Sequence, residues 1–107
     1  MIAKIENFKI CLAEQRFYDA HEVLEEVWFP RRFEDVAEIK LLKGFINAAV
    51  SFELKKRGRI EQSKRVWQNY LKYKSYLYTI DASCYLQQYK NLICYVEQMA
   101  DELLITQ

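Results

Sequence analysis

Two glycines and one proline punctuate the whole 107-residue chain. A β fold needs frequent tight turns, and this sequence holds almost none of the residues that make them. Long, uninterrupted helices are what the chain can form, and apolar residues recur at the three- and four-residue spacing of a helical face. The predicted fold is all-α, a compact multihelical bundle of about five helices in one domain spanning residues 1–107.

The first predicted helix runs from about Ile2 to Glu14, with Ile2, Ile5, Phe8 and Leu12 inward. The second runs from Phe17 to Trp28 and stops ahead of Pro30, because a residue preceding proline is pushed out of helical geometry. The third runs from about Asp35 to Arg57. Its apolar residues Ile39, Leu41, Leu42, Phe45, Ile46, Ala48, Ala49 and Phe52 cover roughly half the circumference. So wide an arc marks a central helix. Lys55, Lys56 and Arg57 favour the negative helix end, and Gly58 can close it in the left-handed conformation. The fourth runs from about Ile60 to Tyr78, with Val66, Trp67, Tyr70, Tyr73 and Leu77 inward. The fifth opens near Asp81 or Ser83, either of which can cap it, and carries Tyr85, Tyr89, Leu92, Val96, Met99 and Leu103 in heptad spacing. Short links make sequential helices antiparallel.

The first fifteen residues are interrupted by Lys4, Glu6 and Lys9, so they read as neither export signal nor membrane span. Cys11, Cys84 and Cys94 form no CxxC pair and fit free thiols in a reducing cytoplasm. Net charge is +1, which gives no whole-chain attraction to nucleic acid. The charge is unevenly spread. Residues 17–38 hold seven acidic side chains against Arg31 and Arg32, and residues 40–74 hold ten basic ones against Glu53 and Glu61. The simplest reading is that the two segments lie side by side and neutralise each other.

The chain's one histidine, His21, shares a helical stripe with Phe17, Leu24 and Trp28, and Glu25 follows one turn later. A ring on that stripe is predicted to be largely buried, with one nitrogen on Glu25 or Glu53. His21→Ala is then expected to cost roughly 1–3 kcal/mol. Lys43 and Asn47 face the same way from the third helix, and Gly44 between them implies close approach by a bulky side chain, with Trp28 or His21 the candidates. Glu53, inside the apolar arc, is expected to reach out to Arg57.

Phe17–Trp28 resembles the signature F-[YW]-x-A-H-E-x-L-E-x-x-W. Lys43–Ala49 followed by Lys56-Arg57-Gly58 resembles a second, roughly [QK]-G-[LF]-I-Q-x-A…R-G-N. Together, over about residues 13–75, they resemble a family of small bacterial and archaeal helical proteins known as domain of unknown function 309. Asn47 stands where glutamine is usual, Arg59 where asparagine is expected, and no histidine stands near Phe52 or Glu53 as it often does in the family. The resemblance implies an all-α fold and no assigned activity. It also implies that His21, Glu22, Glu25, Lys43 and Asn47 line a shared polar cluster.

Three function classes follow. The favoured one is a non-catalytic interaction or structural module, since no nucleophile stands with a base and an orienting group. No cofactor and no metal is expected. A protein partner fits this class, as does a homodimer in which a second copy covers the surplus apolar residues Leu86, Ile93, Ala100 and Leu104. The alternative is an acid–base or carboxylate-rich metal-dependent enzyme built on H-E-x-x-E. One histidine does not make a zincin or a di-iron bundle. The third, least favoured, is nucleic-acid binding within residues 55–74, through Lys55, Lys56, Arg57, Arg59, Lys64 and Arg65 beside Trp67.

Overall fold

The computed structural model describes residues 1–80 and 85–105, so Cys84 and the caps predicted at Asp81 or Ser83 lie outside the described residues. Among the described residues there are five α-helices and no strand: α1 (Ile2–Ala13), α2 (Phe17–Trp28), α3 (Ala37–Lys56), α4 (Ile60–Lys74) and α5 (Leu86–Ala100). The predicted α2 limits hold, and Pro30 falls in a 3₁₀ turn, Phe29–Arg31, just past the helix end. α3 opens two residues later than expected. Val36 is extended, and the Asp35 carboxylate accepts from Lys40 instead of capping the helix. α4 gives way early to a 3₁₀ segment, Ser75–Thr79, where the Ser75 and Thr79 hydroxyls donate to the Lys72 and Tyr76 carbonyls. Such local side-chain bonds compete with α-helical geometry.

Two turns close on the same backbone device. After α1, Arg16 N–H donates to Cys11 carbonyl at 2.8 Å with Gln15 at φ 58°; after α3, Arg59 N–H donates to Leu54 carbonyl at 2.9 Å with Gly58 at φ 80°. These six-to-one bonds satisfy carbonyls that a helix end leaves open.

α3 is central, as its wide apolar arc requires. All eight of its predicted inward residues are buried. α2 packs on one side of it, α4 on another, and α1 lies on α2 and against α5. Ile2 departs from the expectation: it sits in the first turn of α1 and is half exposed. A chain of rings runs through the interior: Phe17, Phe52, Trp67, Tyr70, Phe45 and Tyr89, each within 4.5–6.3 Å of the next. Aromatic pairs at this range add to burial by dispersion and quadrupole contact.

The α3–α4 seam is tighter than the apolar pattern foretells. Ser51 and Ser63 are fully buried, and each hydroxyl donates to the other residue's carbonyl at 2.8 Å. Glu97 of α5 accepts from the Tyr70 hydroxyl at 2.8 Å and pairs with Lys74 at 2.7 Å, tying α4 to α5. The apolar surplus of α5 is largely absorbed within the chain: Ala100 is buried, while Leu86, Ile93 and Leu104 are half buried against the core. No helix among the described residues is long and apolar enough to cross a membrane.

Candidate functional site

Helix α2 presents its signature residues on three sides. Leu24 is buried, as the stripe requires, but the His21 ring is 20% exposed and Glu25 40% exposed. The His21 ring is thus largely buried, with one edge left open, and its carboxylate partner is Glu25. It lies on the edge of the α2–α3 contact, where the neighbouring Val50 and Leu54 leave a shallow pocket open to solvent. Its Nε2 lies 2.7 Å from Glu25 Oε2 and its Nδ1 3.0 Å from the Tyr18 carbonyl oxygen. The same pocket, of about 220 Å³, is bounded by Glu53 and Arg57, which pair with each other at 3.2 Å as expected. Glu22 points away beside Tyr18, and its carboxylate holds the Tyr18 hydroxyl above the ordinary tyrosine range.

Lys43 and Asn47 make different contacts. Asn47 Nδ2 donates to the Lys43 carbonyl at 2.8 Å, and its Oδ1 accepts from Asn69 of α4. The Lys43 ammonium sits 4.2 Å over the Trp28 ring. No hydrogen bond or ion pair among the described residues joins His21 and Glu25 to Lys43 and Asn47. The antiparallel register explains this: the start of α2 meets the end of α3, where Phe17 packs on Phe52, while the end of α2 meets the first half of α3. The neighbour that Gly44 admits is neither Trp28 nor His21. A Cβ at Gly44 would lie 2.9 Å from the Tyr73 Cβ of α4.

That approach builds a second cleft, of about 280 Å³, which the sequence reading missed. Its cations are Arg32, Lys40, Lys43 and Lys72, its rings Trp28, Tyr73 and Tyr76, and its floor the buried Ile39. Among the described residues no carboxylate lines it. Each cation lies against a ring: Lys43 on Trp28, Lys40 on Tyr76 at 5.1 Å, Lys72 on Tyr73 at 5.5 Å, and Arg32 on Phe29 at 3.7 Å. Lys40 is neutralised by Asp35 at the rim, and their hydrogen bond raises the lysine and lowers the carboxylate from their usual ranges. Arg32, Lys43 and Lys72 have no such partner among the described residues. Outside the cleft, Phe29 is 50% and Phe33 87% exposed, with the Arg32 guanidinium against both rings.

The acidic and basic segments therefore do not simply cancel. Lys40–Asp35 joins them, but Arg57–Glu53 and Lys64–Glu61 close within the basic segment. The basic stretch at residues 55–65 is engaged in part. Lys56 donates to the Gln15 carbonyl, and Trp67 is stacked on Phe52 and Tyr70 instead of facing solvent. Among the described residues no three histidine, cysteine or acidic side chains converge to hold a metal ion.

The fold and these two clefts define a small helical protein with one shallow pocket beside His21 and one cation–aromatic cleft beside Trp28. A family model described as Domain of unknown function (DUF309) matches residues 5–66, more than half of the chain, and the chain belongs to this family. No curated protein and no solved structure matches the chain. The match takes in Trp28, Lys40, Lys43 and Gly44, and ends before the wall formed by Lys72, Tyr73 and Tyr76.

Proposed function

We propose that the chain is a non-catalytic binding module whose contact face is the cation–aromatic cleft between the end of α2, the first half of α3 and the end of α4. The observation that carries this reading is the seat of Lys43 on Trp28, in a cleft that no carboxylate of the described residues lines. Three cations without a carboxylate partner, reachable from solvent and backed by aromatic rings, supply both charge and contact area to a ligand. Gly44 serves the same end by letting Tyr73 close the wall.

On this reading the His21–Glu25 pair is structural. It spends both ring nitrogens within α2, so a general-base role would first have to break one of those bonds. The acid–base and metal-dependent readings keep H-E-x-x-E as their only support. Free thiols at Cys11 and Cys94 support a reducing, cytoplasmic setting. Self-association is a second reading, favoured by a groove of about 380 Å³ between α4 and the end of α5 where Leu71 is exposed. A dimeric mass by light scattering at high concentration supports it, and a strictly monomeric mass overturns it.

Small-fragment screening by two-dimensional NMR tests the main reading without presuming a ligand. Hits are expected to shift the Trp28 indole N–H and the Lys43 and Tyr73 amides. Hits gathered on Tyr18, His21 and Val50 instead would overturn it in favour of the enzyme reading.

A further inference from the structure

Resting on the binding-module reading, we infer that the cleft takes a nucleotide unit of a single-stranded nucleic acid, with phosphate on Arg32, Lys43 and Lys72 and a base stacked on the exposed aromatic face. Charge comes first. These three side chains come from the α2–α3 link, α3 and α4, and among the described residues none has a carboxylate partner. Anionic groups answer that surplus, and a chain of phosphate esters brings one such charge with every unit.

The rings then distinguish a nucleotide from a bare anion. Tyr73 and Tyr76 lie nearly parallel, 27° apart with centroids 6.2 Å from each other, and Trp28 forms the opposite wall. Lys43, Lys40 and Lys72 occupy these ring faces. A base entering the cleft would take the ring faces, while the displaced ammonium groups turn to its phosphate. One cation–ring contact is thereby exchanged for a stack and a charge-assisted hydrogen bond.

Size and surroundings favour a strand over a free nucleotide. A volume of about 280 Å³ falls just below the usual span of small-molecule clefts and leaves room for no more than one ring-plus-phosphate unit. Immediately outside it, Arg32 lies 3.7 Å from the Phe29 ring and 4.4 Å from the Phe33 ring. Exposed aromatics alternating with a cation continue the same chemistry beyond the cleft, as binding of successive bases requires. Acidic groups bound the path on one side: Asp35 holds Lys40, and Glu34 holds Arg31. The strand is therefore directed over Phe29 and Phe33 and away from the start of α3.

Fluorescence anisotropy with labelled single-stranded DNA and RNA 12-mers tests the inference on the full chain. The expected result is binding at low salt that weakens as salt rises, with a log–log slope of about −0.7 for each phosphate neutralised. Lys43→Gln with Lys72→Gln should weaken it roughly tenfold and flatten the slope. Phe33→Ala should weaken it with the slope unchanged, and Arg59→Gln with Arg65→Gln, outside the cleft, should leave it intact. Circular dichroism establishes that each variant is folded. The inference is overturned if neither 12-mer binds, if the Arg59 and Arg65 substitutions carry the loss, or if heparin binds as well and Phe33→Ala changes nothing. If ATP or inorganic phosphate shifts the Trp28 indole resonance while the 12-mers fail, the strand is overturned and the binding face stands. If no probe or fragment shifts that resonance, both fall.

Discussion

The His21 ring uses both nitrogens on its own helix, bonding Tyr18 behind it and Glu25 ahead. Both bonds are partly open to water, and that sets their worth. Were the ring fully buried, removing it would orphan a dry carboxylate and cost roughly 1–3 kcal/mol. Here Glu25 is 40% exposed and can be rehydrated, so His21→Ala should cost only about 1 kcal/mol. A thermal melt checks this, with a fall of about 4–8 °C expected for a domain of this size. An unchanged melting temperature would contradict a structural role for the ring. The contact with Glu25 was legible from i,i+4 spacing. The exposure was not, because a stripe drawn on one helix does not show how far the neighbouring helix extends over it.

At the scale of elements, the seam between α3 and α4 organises the molecule. Gly44 meets Tyr73, Asn47 meets Asn69, and Ser51 meets Ser63, so the two helices run antiparallel in one fixed register. Elsewhere in a helix, replacing glycine by alanine stabilises by about 1 kcal/mol. At position 44 the new methyl would lie 2.9 Å from the Tyr73 Cβ, which is anchored to the α4 backbone and cannot swing away. Gly44→Ala should therefore destabilise by about 1–2 kcal/mol net. Chemical denaturation reads this as a lower midpoint at unchanged slope; a higher midpoint would mean that α4 lies further off. That Gly44 marks a close approach was readable from its place inside a helical pattern. Which residue approaches was not, since Tyr73 is reached only through the register. The serine pair was invisible for a related reason: a serine looks solvated in sequence until a partner's backbone is placed against it.

At the scale of the whole molecule, the described residues form a body of 39 × 24 × 24 Å with rings through its centre. Tyr70 is one of the polar side chains in that column. It is fully buried, and burial first, then its bond to the Glu97 carboxylate, pushes its hydroxyl well above the ordinary tyrosine range. A group whose pKa is raised by folding favours the folded state below its unfolded pKa of about 10, and that contribution is lost as pH rises beyond it. Stability should therefore decline above about pH 10, with the ultraviolet signal of Tyr70 ionisation appearing only together with loss of helical circular dichroism. Tyr70→Phe should abolish the shared step. The all-α architecture and the centrality of α3 were legible because periodicity and the scarcity of glycine and proline act locally. The cation–aromatic cleft was not, because Arg32, Lys43 and Lys72 are distant in sequence and only the folded register gathers them.

The account depends most on the meeting of the two signature stretches at Trp28 and Lys43, which forms one wall of that cleft. A double-mutant cycle on folding stability, with Trp28→Leu, Lys43→Met and the pair, measures this contact most directly. The predicted coupling is about 0.5–1 kcal/mol, the strength of a cation over a partly exposed ring. Strictly additive effects would contradict the contact and, with it, the cleft as a binding face.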